Sequence, residues 1–212
     1  MSKLVFGVIA TSLKENEQRL PIHPDHISNI PQNIRDCLVF ESGYGKSVGV
    51  SDEHIENLTR GLATRLEILN NIGNVILAKP TLDDLREVKE GGVVWGWSHC
   101  VQQIEITSIA IEKKLTLLAF EDMFSLNRVD NSRSHVFYQN NELAGYCAVL
   151  HALQLKGLDG NYGNQRKILL VGFGSVTRGA VYALKGRGYK DITICTRRDI
   201  GSISNIINGC KY

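Results

Sequence analysis

The sequence predicts an α/β protein in which a mostly parallel sheet carries helices on both faces. Over about 120 residues, short β-prone apolar runs alternate with segments whose apolar residues recur at helical intervals. Such alternation is typical of βαβ units, whose crossover helices cover a parallel sheet. The composition, 43% hydrophobic and 22% charged over 212 residues, is that of a soluble globular chain with one large or two modest domains.

The predicted elements of this first domain follow from local pattern. The run from Leu4 to Ala10 is too short to span a bilayer and shows no convincing cleavage site, so we interpret it as a buried first strand. The pair Ser51-Asp52 is a helix start signal. The strands are predicted at residues 3–10, 37–41, 74–78, 92–97 and 115–119, and the helices near 26–30, 51–59 and 101–113.

A polar, irregular stretch at 127–139 marks the predicted domain boundary. Residues 141–155 have helical apolar spacing, and 157–165 is a glycine-rich linker. The predicted organisation is therefore a substrate domain at 1–128, a bridging helix and linker at 129–165, and a second domain at 166–212.

The second domain opens with a β-prone run, a glycine turn and a helix, followed by another β-prone run at 191–196. This strand, phosphate turn, helix and strand order is that of a Rossmann-type dinucleotide-binding unit. Gly172 allows the tight turn, and Gly174 lets the backbone approach a pyrophosphate on the helix N-terminus. The predicted cofactor contacts here are Gly172, Gly174, Ser175, Val176 and Gly179.

The motif is short, since Thr177 stands where a third glycine is usual, and a strand-to-helix turn without a ligand is the alternative. The second strand ends at Thr196-Arg197-Arg198, where an acidic residue would hold a ribose hydroxyl of NAD. The paired arginines instead favour the extra phosphate of NADP, although a solvated basic turn remains open. Only residues 197–212 follow Thr196, so the unit is predicted to be an incomplete Rossmann-type domain.

Charge and cysteine content exclude several classes of function. The net charge of +2 gives no argument for nucleic acid or an anionic membrane as partner. The five cysteines are scattered and lack C-x-x-C spacing, which predicts reduced thiols in a cytoplasmic protein. His23 and His26 have metal-like spacing, but no further ligands complete a set, so we predict no metal site.

Three basic side chains of the first domain follow predicted strands. They are Arg19 after the first strand, Lys79 at the end of the run from Asn74, and His99 after Gly96-Trp97-Ser98. Because ligands gather outside the carboxyl ends of parallel strands, the three side chains could converge. Arginine and lysine bind a carboxylate, and histidine exchanges protons near neutral pH, which suits a keto acid. The alternatives are surface charges at Arg19 and Lys79 and a structural histidine.

Six separated features resemble the alanine dehydrogenase and transhydrogenase family in the same order. Within that family, residues 96–102 and the glycine turn are most similar to the N5-(carboxyethyl)ornithine synthases, which are NADP-dependent opine-type enzymes. The six features are Lys14-x-x-Glu17-x-Arg19, the segment 41–53, Lys79-Pro80, His99, Glu142-Leu143-Ala144-Gly145 and the turn at Gly172. The resemblance covers the chain to about Arg198 and predicts both domains.

The resemblance implies that Arg19 and Lys79 hold a keto acid, that His99 with Lys79 serves catalysis, and that the glycines contact NADPH. The implied reaction is the reductive condensation of pyruvate with the side-chain amine of ornithine or lysine. An alanine dehydrogenase-like enzyme, a transhydrogenase-like nucleotide-binding module and an inactive fragment are the alternatives. Family members continue well beyond the length of this sequence, so activity is expected to be impaired, and the expected partners are small-molecule substrates and a second copy or a complementing C-terminal fragment.

Overall fold

The computed structural model describes residues 4–128, 133–203 and 205–212. Contacts divide the chain into two units, the first ending at Met123 and the second running from Phe124 to Tyr212. The predicted boundary at 128 lies slightly further along, inside a hairpin of β7 (Phe124–Leu126) and β8 (Arg133–His135). The sequence did not predict this hairpin, because both strands are only three residues long and neither has a buried face.

The first unit is built on a six-stranded sheet in which every neighbouring pair is parallel. Along the sheet the strands lie in the order β3-β2-β1-β4-β5-β6. The strands are β1 (Phe6–Ile9), β2 (Leu38–Glu41), β3 (Gly61–Ala63), β4 (Asn74–Leu77), β5 (Val93–Gly96) and β6 (Thr116–Ala119). This sheet confirms the predicted fold class.

Short helices connect these strands. They are α1 (Gln32–Arg35), α2 (Asp52–Leu58), α3 (Arg65–Glu67), which runs on into a π-helical turn at Ile68–Ile72, α4 (Leu82–Glu87) and α5 (Ile104–Glu112). From β1 the chain adds strands first on one side and then, from β4, on the other. Because parallel crossovers are right-handed, this reversal puts the two sets of helices on opposite faces. The strand order therefore switches between β1 and β4, where open α/β sheets bind ligands.

Burial explains why these segments fold as they do. Val8, Ile9, Val75 and Leu77 on the central strands are almost completely buried, as expected for strands covered on both faces. From the helices, Leu69, Leu85 and Ile106 pack onto the same core cluster.

One predicted helix has a different form. The segment near 26–30 is a 3₁₀ helix, Pro24–Asn29, rather than an α-helix. Pro24 suits a helical start, but Pro31 forces the residue before it, Ile30, into an extended conformation (φ −78°, ψ 132°). The two prolines leave too little chain for a longer helix.

The second unit contains α6 (Tyr138–Lys156), β9 (Ile168–Val171), α7 (Ser175–Gly186) and β10 (Ile192–Cys195). β9 and β10 are parallel, as predicted. The tail adds a parallel bridge that the sequence did not reveal, because Lys211 exchanges backbone hydrogen bonds with Ile192 and Ile194 on the outer edge of β10. The unit thus has its own core, which Phe173, Leu184 and Tyr189 share with the tail residue Ile207.

Helices α6 and α7 cross at two glycines. A Cβ atom on Gly179 would lie 1.7 Å from the carbonyl oxygen of Glu142, and one on Gly145 would lie 1.8 Å from that of Val176. Only glycine permits so close an approach of two helix backbones. The helix predicted within a bridging segment at 129–165 therefore packs on α7 as part of the second unit.

Candidate functional site

Four chemically active side chains follow strands of the first unit at the same edge of the sheet. Arg19 follows β1, Lys79 follows β4, His99 follows β5 and Glu121 follows β6. Because the strands are parallel, all four side chains come from the carboxyl ends. Electrostatic coupling links Lys79 to the other three, so they lie near one another. The structure therefore brings together the three residues predicted from sequence.

Arg19 is fixed by a carboxylate and an indole ring. Its Nε donates to Glu17 Oε1 at 2.8 Å, and its terminal nitrogen lies 2.5 Å from Glu17 Oε2. The guanidinium also lies 4.6 Å from the ring centre of Trp97. The bond from Arg19 lowers the pKa of Glu17, and the same pair raises the pKa of Arg19. Both groups are thus ionised, and the fork has a defined orientation.

Lys79 lies in an excess of positive charge. Burial lowers its pKa most, and the neighbouring cations Lys14 and Arg19 lower it further. Glu121 and Glu17 oppose this effect without cancelling it. An anion bound beside Lys79 would relieve this imbalance, so the geometry favours a carboxylate ligand.

His99 has an unusual backbone conformation that Glu121 supports. Its φ is +46°, in the left-handed region that few non-glycine residues adopt. Its backbone N–H donates to Glu121 Oε1 at 2.6 Å, and its Nδ1 lies 3.9 Å from the same oxygen. Burial and then Lys79 lower the pKa of the imidazole, while Glu121 raises it. Strained residues of this kind cluster at functional sites.

Buried contacts hold the loops that carry these residues. Glu41, at the end of β2, accepts hydrogen bonds from the backbone of Ala10 (2.8 Å) and Thr11 (3.1 Å), just beyond β1. Ser12 donates to the carbonyl of Lys79 at 2.6 Å and so ties the β1 loop to the β4 loop. At Gly96, a Cβ atom would lie 2.0 Å from the carbonyl oxygen of Leu77, so glycine lets the end of β5 approach β4.

Sequence reasoning missed the role of two acidic residues. Glu17 was part of a recognised motif but had no assigned function, and Glu121 was not noticed. A usable signal existed for Glu121, because it stands two residues after the end of β6, as Lys79 does after β4.

The predicted dinucleotide site is a cavity of about 550 Å³ in the second unit. Five of the predicted cofactor contacts line it, namely Gly172, Gly174, Thr196, Arg197 and Arg198. Position 172 requires glycine, because its φ of +91° is one that other residues rarely adopt. Gly174 has no such need: its φ is −112°, and a Cβ there would meet no atom within 4 Å. The space left open at Gly174 fits the close approach of a ligand phosphate, so these residues suit a dinucleotide.

The remaining predicted contacts are placed differently. Ser175 and Val176 begin α7, where unpaired N–H groups favour anions. Gly179 does not line the cavity; it is buried against α6, and its dinucleotide contact stays a prediction. Arg198 donates to the carbonyl of Phe173, and Arg197 is exposed at the rim.

The described residues show neither a group of metal ligands nor a membrane-spanning helix. Within residues 4–128, 133–203 and 205–212, no three His, Cys, Asp or Glu side chains are grouped as metal ligands would be. In the same part of the chain, no helix combines the length and hydropathy needed to cross a bilayer.

With this geometry in place, the chain can be compared with known proteins. It is 24% identical over 219 aligned residues to an N(5)-(carboxyethyl)ornithine synthase of Clostridium botulinum, a match covering 92% of this chain and 65% of that protein. The chain thus spans about two thirds of the length of the curated relative that it matches. No family model matches the sequence.

Solved structures agree on the fold. A transhydrogenase from Sinorhizobium meliloti matches with a TM-score of 0.64 and 18% identity, covering 90% of this chain and 58% of that one. An L-alanine dehydrogenase matches with a TM-score of 0.65 and 17% identity, covering 89% and 54%. These structures share with the chain the α/β fold that its parallel sheet defines. The chain is thus similar to an N(5)-(carboxyethyl)ornithine synthase in sequence and to a transhydrogenase and an alanine dehydrogenase in fold, which agrees with the resemblance that its motifs predicted.

Proposed function

We propose that this protein is an NADP-dependent oxidoreductase of the opine and alanine dehydrogenase type. Its reaction is the reductive condensation of pyruvate with the side-chain amine of ornithine or lysine. The observation that carries the proposal is the convergence of Arg19, Lys79 and His99 at one sheet edge. The name of the similar C. botulinum protein, an N(5)-(carboxyethyl)ornithine synthase, supports this class of product.

Arg19 and Lys79 hold the keto acid in this proposal. The guanidinium of Arg19 offers a planar fork, and Trp97 beneath it limits its movement. Lys79 supplies a point charge whose lowered pKa reflects burial and repulsion from Lys14 and Arg19. Binding a carboxylate between the two cations stabilises both, so the carbonyl carbon is fixed in one position.

His99 moves the protons of the condensation. The amine adds to the carbonyl carbon, and the carbonyl oxygen must then leave as water, which requires a proton at that oxygen. An imidazole with a lowered pKa gives up its proton readily, and a positioned acid of this kind contributes about 10²–10⁴-fold to rate. Glu121 keeps the backbone of His99 in place during the transfer. When bound, NADPH supplies the hydride that reduces the imine carbon.

Binding experiments on the chain itself test the proposal first. Pyruvate should change the fluorescence of Trp97, and Arg19→Ala should weaken pyruvate binding at least tenfold, because a charge-assisted contact contributes about 1.5–3 kcal/mol. Gly174→Ala should abolish NADPH binding and leave the thermal unfolding temperature unchanged, since a Cβ there meets only open space. Pyruvate binding that Arg19→Ala leaves intact would remove this residue from the site.

Activity assays separate the alternatives. NADPH consumption with pyruvate and ornithine or lysine, by the chain alone or with a complementing C-terminal fragment, supports the proposed reaction. Consumption with pyruvate and ammonia instead identifies alanine dehydrogenase-like chemistry. Dinucleotide binding without any response to pyruvate identifies a transhydrogenase-like binding module, and failure of both identifies an inactive chain.

A further inference from the structure

A cavity of the first unit lies beside Arg19 and Lys79 and has no role in the steps above. Its volume is about 530 Å³, within the range of small-molecule sites. It opens at the carboxyl ends of β1 and β2, and we call it the β1–β2 groove. Its polar walls are formed by Thr11, Ser12, Glu17, Gln18, Lys46 and Ser47.

The groove shares walls with the site that holds the keto acid in the proposed function. Glu17 lines the groove and also binds Arg19. Ser12 lines it and donates to the backbone carbonyl of Lys79. A ligand in the groove would therefore contact residues that also bind Arg19 and the backbone of Lys79.

The groove is lined by one acidic and one basic side chain, Glu17 and Lys46. The pKa of Glu17 is lowered, so its carboxylate is ionised, and its side chain is only 7% exposed. Lys46 is exposed, and its ammonium makes no hydrogen bond or salt bridge with any residue that the structure describes. The same holds for the Ser47 hydroxyl and the Gln18 amide over the described ranges. Lys46, Ser47 and Gln18 can therefore bind a ligand, whereas Glu17 adds its negative charge while it is bound to Arg19.

We infer that the β1–β2 groove binds the α-amino and α-carboxylate groups of a diamino acid substrate. Lys46 and Ser47 contact the carboxylate, Glu17 attracts the ammonium, and Ala10, Leu20 and Val48 form an apolar floor for the methylene chain. The side-chain amine then extends toward Lys79 and His99. This inference rests on the proposed function and adds the groups that select an amino acid over a simple amine.

Protein-observed NMR on the full chain tests the groove. We expect L-ornithine or L-lysine to shift the amide signals of Lys46 and Ser47, and we expect putrescine and cadaverine, which lack the carboxylate, to leave them in place. Lys46→Gln should raise the Kd of the amino acid at least tenfold. Lys89→Gln, which changes an exposed lysine near the opposite edge of the sheet, should change that Kd less than twofold.

The inference is overturned if the diamines bind as well as the amino acids, or if Lys46→Gln and Lys89→Gln have the same Kd. Ser47→Ala provides a second test should Lys46→Gln fail to fold. Pyruvate is titrated separately, with the backbone amide of His99 as the reporter. Pyruvate binding without an amino acid effect at Lys46 refutes the groove alone, whereas an amino acid effect without pyruvate binding refutes the proposed reaction alone.

Discussion

At the scale of single residues, burial and two neighbours of opposite charge set the proton affinity of His99. Burial lowers the pKa of the imidazole most, Lys79 lowers it further, and Glu121 raises it. We predict that Lys79→Met raises the pKa of His99 and that Glu121→Gln lowers it further. An NMR pH titration of the His99 ring measures both shifts, and Lys89→Met serves as a distant control. Shifts of the same sign in both variants would contradict this electrostatic account.

The two arginines after β10 have different positions, so they should have different effects on cofactor choice. Arg198 donates to the Phe173 carbonyl, and its guanidinium carbon lies 5.5 Å from the centre of that ring, so Arg198 is held against the glycine turn. Arg197 lines the cavity from an exposed position. We predict that Arg197→Ala weakens NADPH binding about tenfold and NADH binding less than twofold, since it removes one charge-assisted phosphate contact. Arg198→Ala should weaken both dinucleotides.

Titration of each variant with NADPH and NADH measures this difference. If neither variant changes the ratio of the two affinities, these arginines do not select NADPH over NADH. Gly174→Ala serves as the control in which dinucleotide binding is lost altogether.

At the scale of elements, the close crossing of α6 and α7 predicts which glycine substitutions destabilise the second unit. Gly179→Ala puts a methyl group against the backbone of α6, which cannot move aside. We therefore expect the free energy of unfolding of the second unit to fall by about 1–3 kcal/mol. Gly186→Ala, on the same helix, meets open space and should be neutral or slightly stabilising. Hydrogen exchange of the α6 and α7 amides measures the difference. Equal effects of the two substitutions would mean that the helices are not in close contact.

The sequence predicted those elements whose own apolar pattern is enough to identify a strand or a helix. The strands near 74–78 and 115–119 and the helix near 51–59 are of this kind. It missed β3, because Gly61-Leu62-Ala63 has weak β propensity and gains its strand form from pairing with β2. The tail bridge at Lys211 was also missed, because a single bridging residue leaves no β-prone run in the sequence.

The candidate site was predictable where a strand end could be recognised. Arg19, Lys79 and His99 each follow a predicted strand, and the rule for parallel sheets then brings them together. The pairing of Glu17 with Arg19 and of Glu121 with His99 depends on loop geometry, which spacing does not determine. The β1–β2 groove was hidden for the same reason, because it forms only when two loops distant in sequence meet.

At the scale of the whole molecule, the two units differ in how completely their sheets are covered. The central strands of the first unit are buried on both faces, whereas in β9 of the second unit Leu169 is 63% exposed and Val171 is 83% exposed. Exposed faces and open edges of this kind favour pairing with another chain. The predicted weakness of the 166–212 segment is therefore offset only in part by α6 and the tail.

We predict that limited proteolysis cleaves the second unit first and leaves a stable fragment ending near Met123. The tail contributes to the stability of the second unit, because the Tyr212 hydroxyl accepts a hydrogen bond from the Ile207 amide at 2.7 Å and its ring packs edge-on against Phe173. Tyr212→Ala should therefore speed cleavage in the second unit several-fold. Tyr162→Ala, which removes an 82% exposed ring from the same unit, should not. Mass spectrometry of the fragments over time measures both rates. A second unit that outlasts the first, or equal rates for the two variants, would show that the short unit is stable without its tail.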